Sequence, residues 1–72
     1  MVNKLHEGRL IKRSDGRYAL DDGWYWTCGD YMELYYDNDW LVGRVEYSTR
    51  YYFTDGDCIE IPLEYGMLVR GN

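Results

Sequence analysis

The stretch YMELYYDNDWLVGRVEY, Tyr31–Tyr47, decides the fold. Apolar and polar residues alternate on both sides of Asp37-Asn38-Asp39, a period of two that belongs to strands, and the acid-and-amide cluster between them favours a tight reversal. A two-residue turn at Asn38-Asp39 sets Asp37 against Trp40, Tyr36 against Leu41, Tyr35 against Val42, Leu34 against Gly43, Glu33 against Arg44 and Met32 against Val45. Met32, Leu34, Tyr36, Leu41, Gly43 and Val45 then make one apolar face, while Glu33 and Arg44 pair across the other. Gly43 opposite Leu34 marks a bend of the kind that curling strands use.

Working outward, turn signals recur at Ser14-Asp15-Gly16, Asp22-Gly23, Gly29-Asp30, Asp55-Gly56 and Tyr65-Gly66. A three-residue loop Ser14-Asp15-Gly16, with Gly16 left-handed, pairs Leu10 with Leu20 and Lys12 with Tyr18, whereas a two-residue loop pairs Ile11 with Leu20; the first is preferred because it aligns Leu10, Tyr18 and Leu20. Residues 50–53 (RYYF) and 58–61 (CIEI) read as short strands around Thr54-Asp55-Gly56-Asp57, and residues 67–70 (MLVR) as the last strand, placed to close the sheet against an earlier one. No stretch has a 3.6-residue period, and the runs leave no room for crossover helices. The expected fold is a single domain, residues 1–72, built as an all-β antiparallel meander that must curl or close to bury its apolar face.

Seventy-two residues allow only a thin core, and such domains need reinforcement. Here nine Tyr, three Trp and one Phe supply it, because aromatic rings remove much apolar area from water per residue. In GWYWTCGD, residues 23–30, alternation puts Trp24 and Trp26 on one face and Tyr25 on the other, a core wall followed by a corner. With no charged-then-apolar leader and no long apolar run, neither export nor a membrane span is expected; the expectation is a cytoplasmic location with Cys28 and Cys58 as free thiols rather than a disulfide.

The net charge of −5 argues against an ordinary nucleic-acid binder. Its distribution is uneven. Residues 1–20 carry Lys4, Arg9, Lys12, Arg13 and Arg17 against Glu7 and Asp15, whereas residues 21–40 hold Asp21, Asp22, Asp30, Glu33, Asp37 and Asp39 with no base.

The order Gly8-x-Leu10, Gly16-Arg17-Tyr18-x-Leu20, Thr27-x-Gly29-Asp30-x-x-Glu33-Leu34, Trp40-x-x-x-Arg44-x-Glu46, Tyr51-Tyr52 and Leu63-x-x-Gly66-Met67-x-x-Arg70 spans nearly the whole chain. It resembles a small bacterial domain family of unknown function, common in low-GC Gram-positive genomes and often near mobile elements. The resemblance implies an SH3-like β-barrel, here of five to seven short strands, and no known activity. Trp26 and Cys28 stand where the resembled pattern usually has an aliphatic residue and often a serine, which separates Cys28 from any shared function.

Catalysis finds little support in the residues. A nucleophilic Cys28 requires a base, and the single histidine, His6, is distant in sequence. Cys58 opens an apolar run and reads as core. Two thiols and one histidine do not complete a zinc site, and neither acidic turn has the ligand spacing of a calcium loop. No phosphate loop precedes a helix. The expectation is a monomeric non-enzyme without metal or cofactor. Aromatic and charged residues on the outward face of the central hairpin, Tyr35, Trp40, Val42 and Arg44 with Tyr51 from the next strand, suit a binding module for a protein or peptide partner. The alternative is a nucleic-acid-related protein. It would act either as a weak binder through the basic first hairpin, Arg9, Lys12, Arg13 and Arg17, with stacked tyrosines, or as a DNA mimic presenting its acids in a row.

Overall fold

The computed structural model describes residues 6–71, so Lys4 lies outside the described residues. Every left-handed residue among them falls at one of the expected reversals: Gly16, Gly23, Asp37, Asn38, Gly29, Gly56 and Gly66. Between these turns the chain runs through β1 (His6–Arg9), β2 (Ile11–Lys12), β3 (Tyr18–Ala19), β4 (Tyr25–Trp26), β5 (Tyr31–Tyr36), β6 (Asp39–Tyr47), β7 (Tyr51–Thr54), β8 (Glu60–Pro62) and β9 (Leu68–Gly71). The fold is all-β and antiparallel, as the alternation and turn chemistry require.

The strands form two sheets, one of six in the order β1-β9-β5-β6-β7-β8 and one of three in the order β2-β3-β4. Two expectations change here. Among the described residues the strands number nine rather than five to seven, because buried Leu10 interrupts β1 and β2 and the second reversal leaves β3 and β4 with two residues each. The pairing also stays open among the described residues: β1 and β8 are the edges of the larger sheet, so no closed barrel forms. Pro62, which has no amide proton to give a neighbour, sits in edge strand β8. The last strand does join distant parts of the chain, since β9 pairs with β1 on one side and with β5 on the other.

Tyr18, Leu20 and Trp26 from the smaller sheet and its flank pack with Met32, Leu34, Val45, Phe53 and Val69 from the larger one, and Leu10 and Leu63 complete a single core. Trp26 and Phe53 are its largest fully buried side chains. Burial of two such rings contributes several kcal/mol in a domain this small, on the order of 1.5–3 kcal/mol for a Phe-sized side chain. The Trp26 indole N–H is satisfied by the Tyr31 carbonyl at 3.0 Å. Strand β6 serves both halves of the large sheet, pairing with β5 through Asp39–Arg44 and with β7 through Arg44–Tyr47. Gly43 makes that possible: a Cβ there would overlap the Thr54 carbonyl oxygen and lie 2.8 Å from the Phe53 ring.

The central hairpin turns one residue earlier than expected. Asp37 and Asn38, at φ 56° and 66°, form the reversal, so Tyr36 faces Asp39, Leu34 faces Leu41, Glu33 faces Val42 and Tyr31 faces Arg44. A two-residue loop whose central positions are both left-handed matches strand twist, and Asp and Asn tolerate that conformation better than other residues with a side chain. The correction moves partners but keeps faces. Met32, Leu34 and Val45 remain buried, yet Glu33 and Arg44 no longer oppose each other, and Tyr36 lies exposed near the tip. The first hairpin has the expected loop, with Lys12 opposite Tyr18 and the Arg13 amide donating to the Arg17 carbonyl at 2.7 Å.

Candidate functional site

Strand alternation gives the large sheet an outer face opposite the core. On β5 it displays Tyr31, Glu33 and Tyr35, on β6 Trp40, Val42, Arg44 and Glu46, and on β9 Arg70. Tyr35 and Trp40 face each other across β5 and β6 with ring centroids 5.3 Å apart in an edge-to-face arrangement. The Arg70 guanidinium lies over the Trp40 ring at 3.9 Å and donates to Glu33 at 2.7 Å. Tyr31 donates its hydroxyl to the other Glu33 oxygen. This hydrogen bond, with the Arg70 contacts behind it, holds the Glu33 carboxyl below its ordinary range, and the same carboxylate pushes the Tyr31 hydroxyl up. Val42, 60% exposed, stands beside this network with nothing covering it among the described residues.

The structure therefore brings Tyr35, Trp40, Val42 and Arg44 onto one face and leaves Tyr51 off it. In the β6–β7 register Tyr52 faces Glu46 and Tyr51 faces Tyr47, so of the two adjacent tyrosines it is Tyr52 that shares the outer face. Arg44 lies at the border of the patch and binds Glu46 at 2.6 Å. Sequence reasoning placed Glu33 on this outward face but missed Arg70 as part of the surface. Glu33 was visible as an outward charge, but its partner lies 37 positions away and only β9 pairing delivers it.

A second feature is a groove on the other side, between the first hairpin and the β6–β7 turn. Lys12, Asp15, Arg17, Tyr47, Arg50 and Tyr51 are among its lining residues, and its volume is about 590 Å³. Tyr47 and Tyr51 meet edge to face at 4.8 Å. Asp15 accepts from the Arg17 amide at 3.0 Å and lies 3.3 and 3.4 Å from the Arg17 and Arg13 guanidinium groups. The Arg17 amide is the main cause of its lowered carboxyl pKa. The Arg17 guanidinium is held above its ordinary value, first by the nearby Tyr51 hydroxyl and then by Asp15. The four bases of the first hairpin do not act together. Arg13 lies over the Tyr25 ring at 4.5 Å, and Arg9 donates to the Gly66 carbonyl at 3.1 Å, leaving Lys12 and Arg17 in the groove.

The thiols are structurally plain. Cys28 donates to Glu46 at 3.1 Å, and that carboxylate raises the thiol's pKa, which disfavours the thiolate. His6 stacks on Trp24 at 4.2 Å and bonds Asp22 at 3.1 Å. Cys58 is exposed rather than core, because β8 starts two residues later at Glu60 and Asp55 organises the intervening loop through the Asp57 and Ile59 amides. Trp24 and Trp26 share the core side as expected, edge to face at 6.4 Å, and Tyr25 points out. The acids are spread over separate turns, where Asp22, Asp30 and Asp39 accept from the Trp24, Thr27 and Trp40 amides. Among the described residues no three His, Cys, Asp or Glu side chains gather as a metal site would need.

Nearly the whole described chain, residues 8–71, matches the family described as Domain of unknown function (DUF5348). The chain belongs to that family. No curated protein and no solved structure matches this DUF5348 chain.

Proposed function

We propose that this DUF5348 domain is a non-enzymatic protein-interaction module that uses the outer face of its large sheet. Its SH3-like character, its bacterial and mobile-element setting and its cytoplasmic location belong to the same reading and rest on the sequence resemblance and on composition. One observation carries it: exposed Tyr35 and Val42 and half-buried Trp40 and Arg70 form a surface whose charges are already paired, Arg70 with Glu33, before any partner arrives. Trp, Tyr and Arg are the side chains that contribute most at protein interfaces, and a paired arginine does not have to be neutralised by the partner. The face is thus matched to a protein segment presenting apolar or aromatic side chains. Selection from a displayed peptide library on the immobilised domain tests this. The reading expects an enriched family of apolar peptides whose affinity falls at least about tenfold with Trp40→Ala, the loss typical of an interface anchor. Enriched peptides indifferent to Trp40→Ala, or no enrichment, would refute it.

A further inference from the structure

The groove differs from the outer face in how its charges are settled. Lys12, Arg17 and Arg50 face a single carboxylate, Asp15, which is already shared between Arg17 and Arg13. Among the described residues neither Lys12 nor Arg50 has a carboxylate partner; Arg50 reaches only the Leu63 carbonyl at 3.4 Å. The Nε of Arg17 is buried without an acceptor. A donor left in that state is costly. Beside these donors stands Tyr47, 55% exposed, with one ring supported by Tyr51.

We propose that this groove binds a nucleotide unit of single-stranded nucleic acid, with phosphate on Lys12, Arg17 and Arg50 and the base stacked on Tyr47. The combination of cations and an open aromatic ring is the pattern by which unpaired strands are held. An acidic peptide would satisfy the cations but bring no flat ring for Tyr47. A duplex keeps its base faces inside the stack, out of reach of such a platform. The volume, about 590 Å³, is in the range of small-ligand sites and suits one or two nucleotides rather than a long track. The net charge of −5 confines attraction to this groove, so binding is weak and depends on few phosphates. One or two neutralised phosphates on a single strand give a slope of about −0.7 to −1.4 in log K against log salt.

Fluorescence anisotropy of a labelled ten-residue oligothymidine at low salt tests the proposal on the full chain, with thymidine monophosphate and a phosphotyrosine peptide as competitors. The expected result is saturable binding with the salt slope above, at least about tenfold weaker with Lys12→Glu/Arg50→Glu and severalfold weaker with Tyr47→Ala, the size expected when phosphate contacts or one stacking platform are lost. All three side chains are exposed, so the variants should keep the wild-type fold, which circular dichroism checks. Trp40→Ala should leave oligonucleotide binding unchanged, which separates this site from the protein-binding face. Stronger competition by oligothymidine than by the monophosphate identifies a strand as the source; equal competition per phosphate identifies a free nucleotide in the same groove. Absence of saturable binding, indifference to the groove substitutions, or preference for the phosphotyrosine peptide would overturn the proposal.

Discussion

The outer face of the large sheet and the groove behind it are made of the same residue types, tyrosines with arginines, yet they are opposite in how those residues are satisfied. On the outer face, Arg70 is held by Glu33 and stacked on Trp40, and Arg44 is held by Glu46. In the groove, three cations meet one shared carboxylate and an arginine donor has no acceptor. Composition therefore says little about what an aromatic-basic surface recognises. Pairing decides it: the first surface is preorganised for a partner without charge, the second for an anion.

The expected effect with the widest reach, felt at both surfaces, tests whether the two regions share one framework. Strand β6 carries Trp40 and Val42 on the outer face and ends at Tyr47 in the groove. Gly43→Ala forces a Cβ into the Thr54 carbonyl and the Phe53 ring, so we expect a loss of about 3 kcal/mol or more, at the upper end of overpacking effects, in urea unfolding. Both surfaces should fail together. Wild-type stability in this variant would mean that the approach of β6 to β7 at Gly43 is looser than described.

Next comes the contrast between two tryptophans. Trp26 is fully buried, and Trp26→Ala should cost about 3–5 kcal/mol, as for other large core truncations. Trp40 lies outside the core cluster, and Trp40→Ala should cost only about 1–2 kcal/mol, the loss of stacking with Tyr35 and Arg70. Equal costs would make Trp40 part of the framework and erase the distinction between core and outer face.

The smallest effect concerns pH. Glu33 has a folded-state pKa below its unfolded value, owing first to Tyr31 and then to Arg70. Its carboxylate therefore stabilises the fold above the ordinary glutamate value, about 4.3, and this contribution disappears as pH falls through the lowered folded value. Glu33→Gln should flatten the acid side of the stability profile followed by thermal unfolding. Asp15→Asn in the more exposed groove should flatten it less, because solvent screens that ion pair. The reverse order would contradict the description of the outer face as the better-organised network.

Much of the fold was legible because the faces of a strand follow from alternation alone. The expected turn at Asn38-Asp39 and the observed one at Asp37-Asn38 both put Met32, Leu34 and Val45 on the same side, so these core residues were right although every partner was shifted. Ser14-Asp15-Gly16 was readable because its Gly16 supplies the left-handed position the loop needs. The open edges were not readable, since whether β1 meets β8 depends on sheet curvature and not on any local run. Tyr51-Tyr52 shows the limit within a site: adjacent residues must point opposite ways, and only the β6–β7 register says which points out. Arg70 over Trp40, and Arg50 beside Tyr47 and Arg17, join residues from separate hairpins, a proximity that no single-sequence pattern carries.

The most direct measurement is amide and indole shift mapping by nuclear magnetic resonance on one labelled sample, titrated separately with a selected apolar peptide and with oligothymidine. The expected result is two disjoint sets: the peptide moves the Trp40 indole and the amides of Tyr35, Val42 and Arg70, and the oligonucleotide moves Lys12, Arg17, Tyr47 and Arg50. A single shared set for both ligands would contradict the claim that charge pairing has divided this small domain into two surfaces of different chemistry.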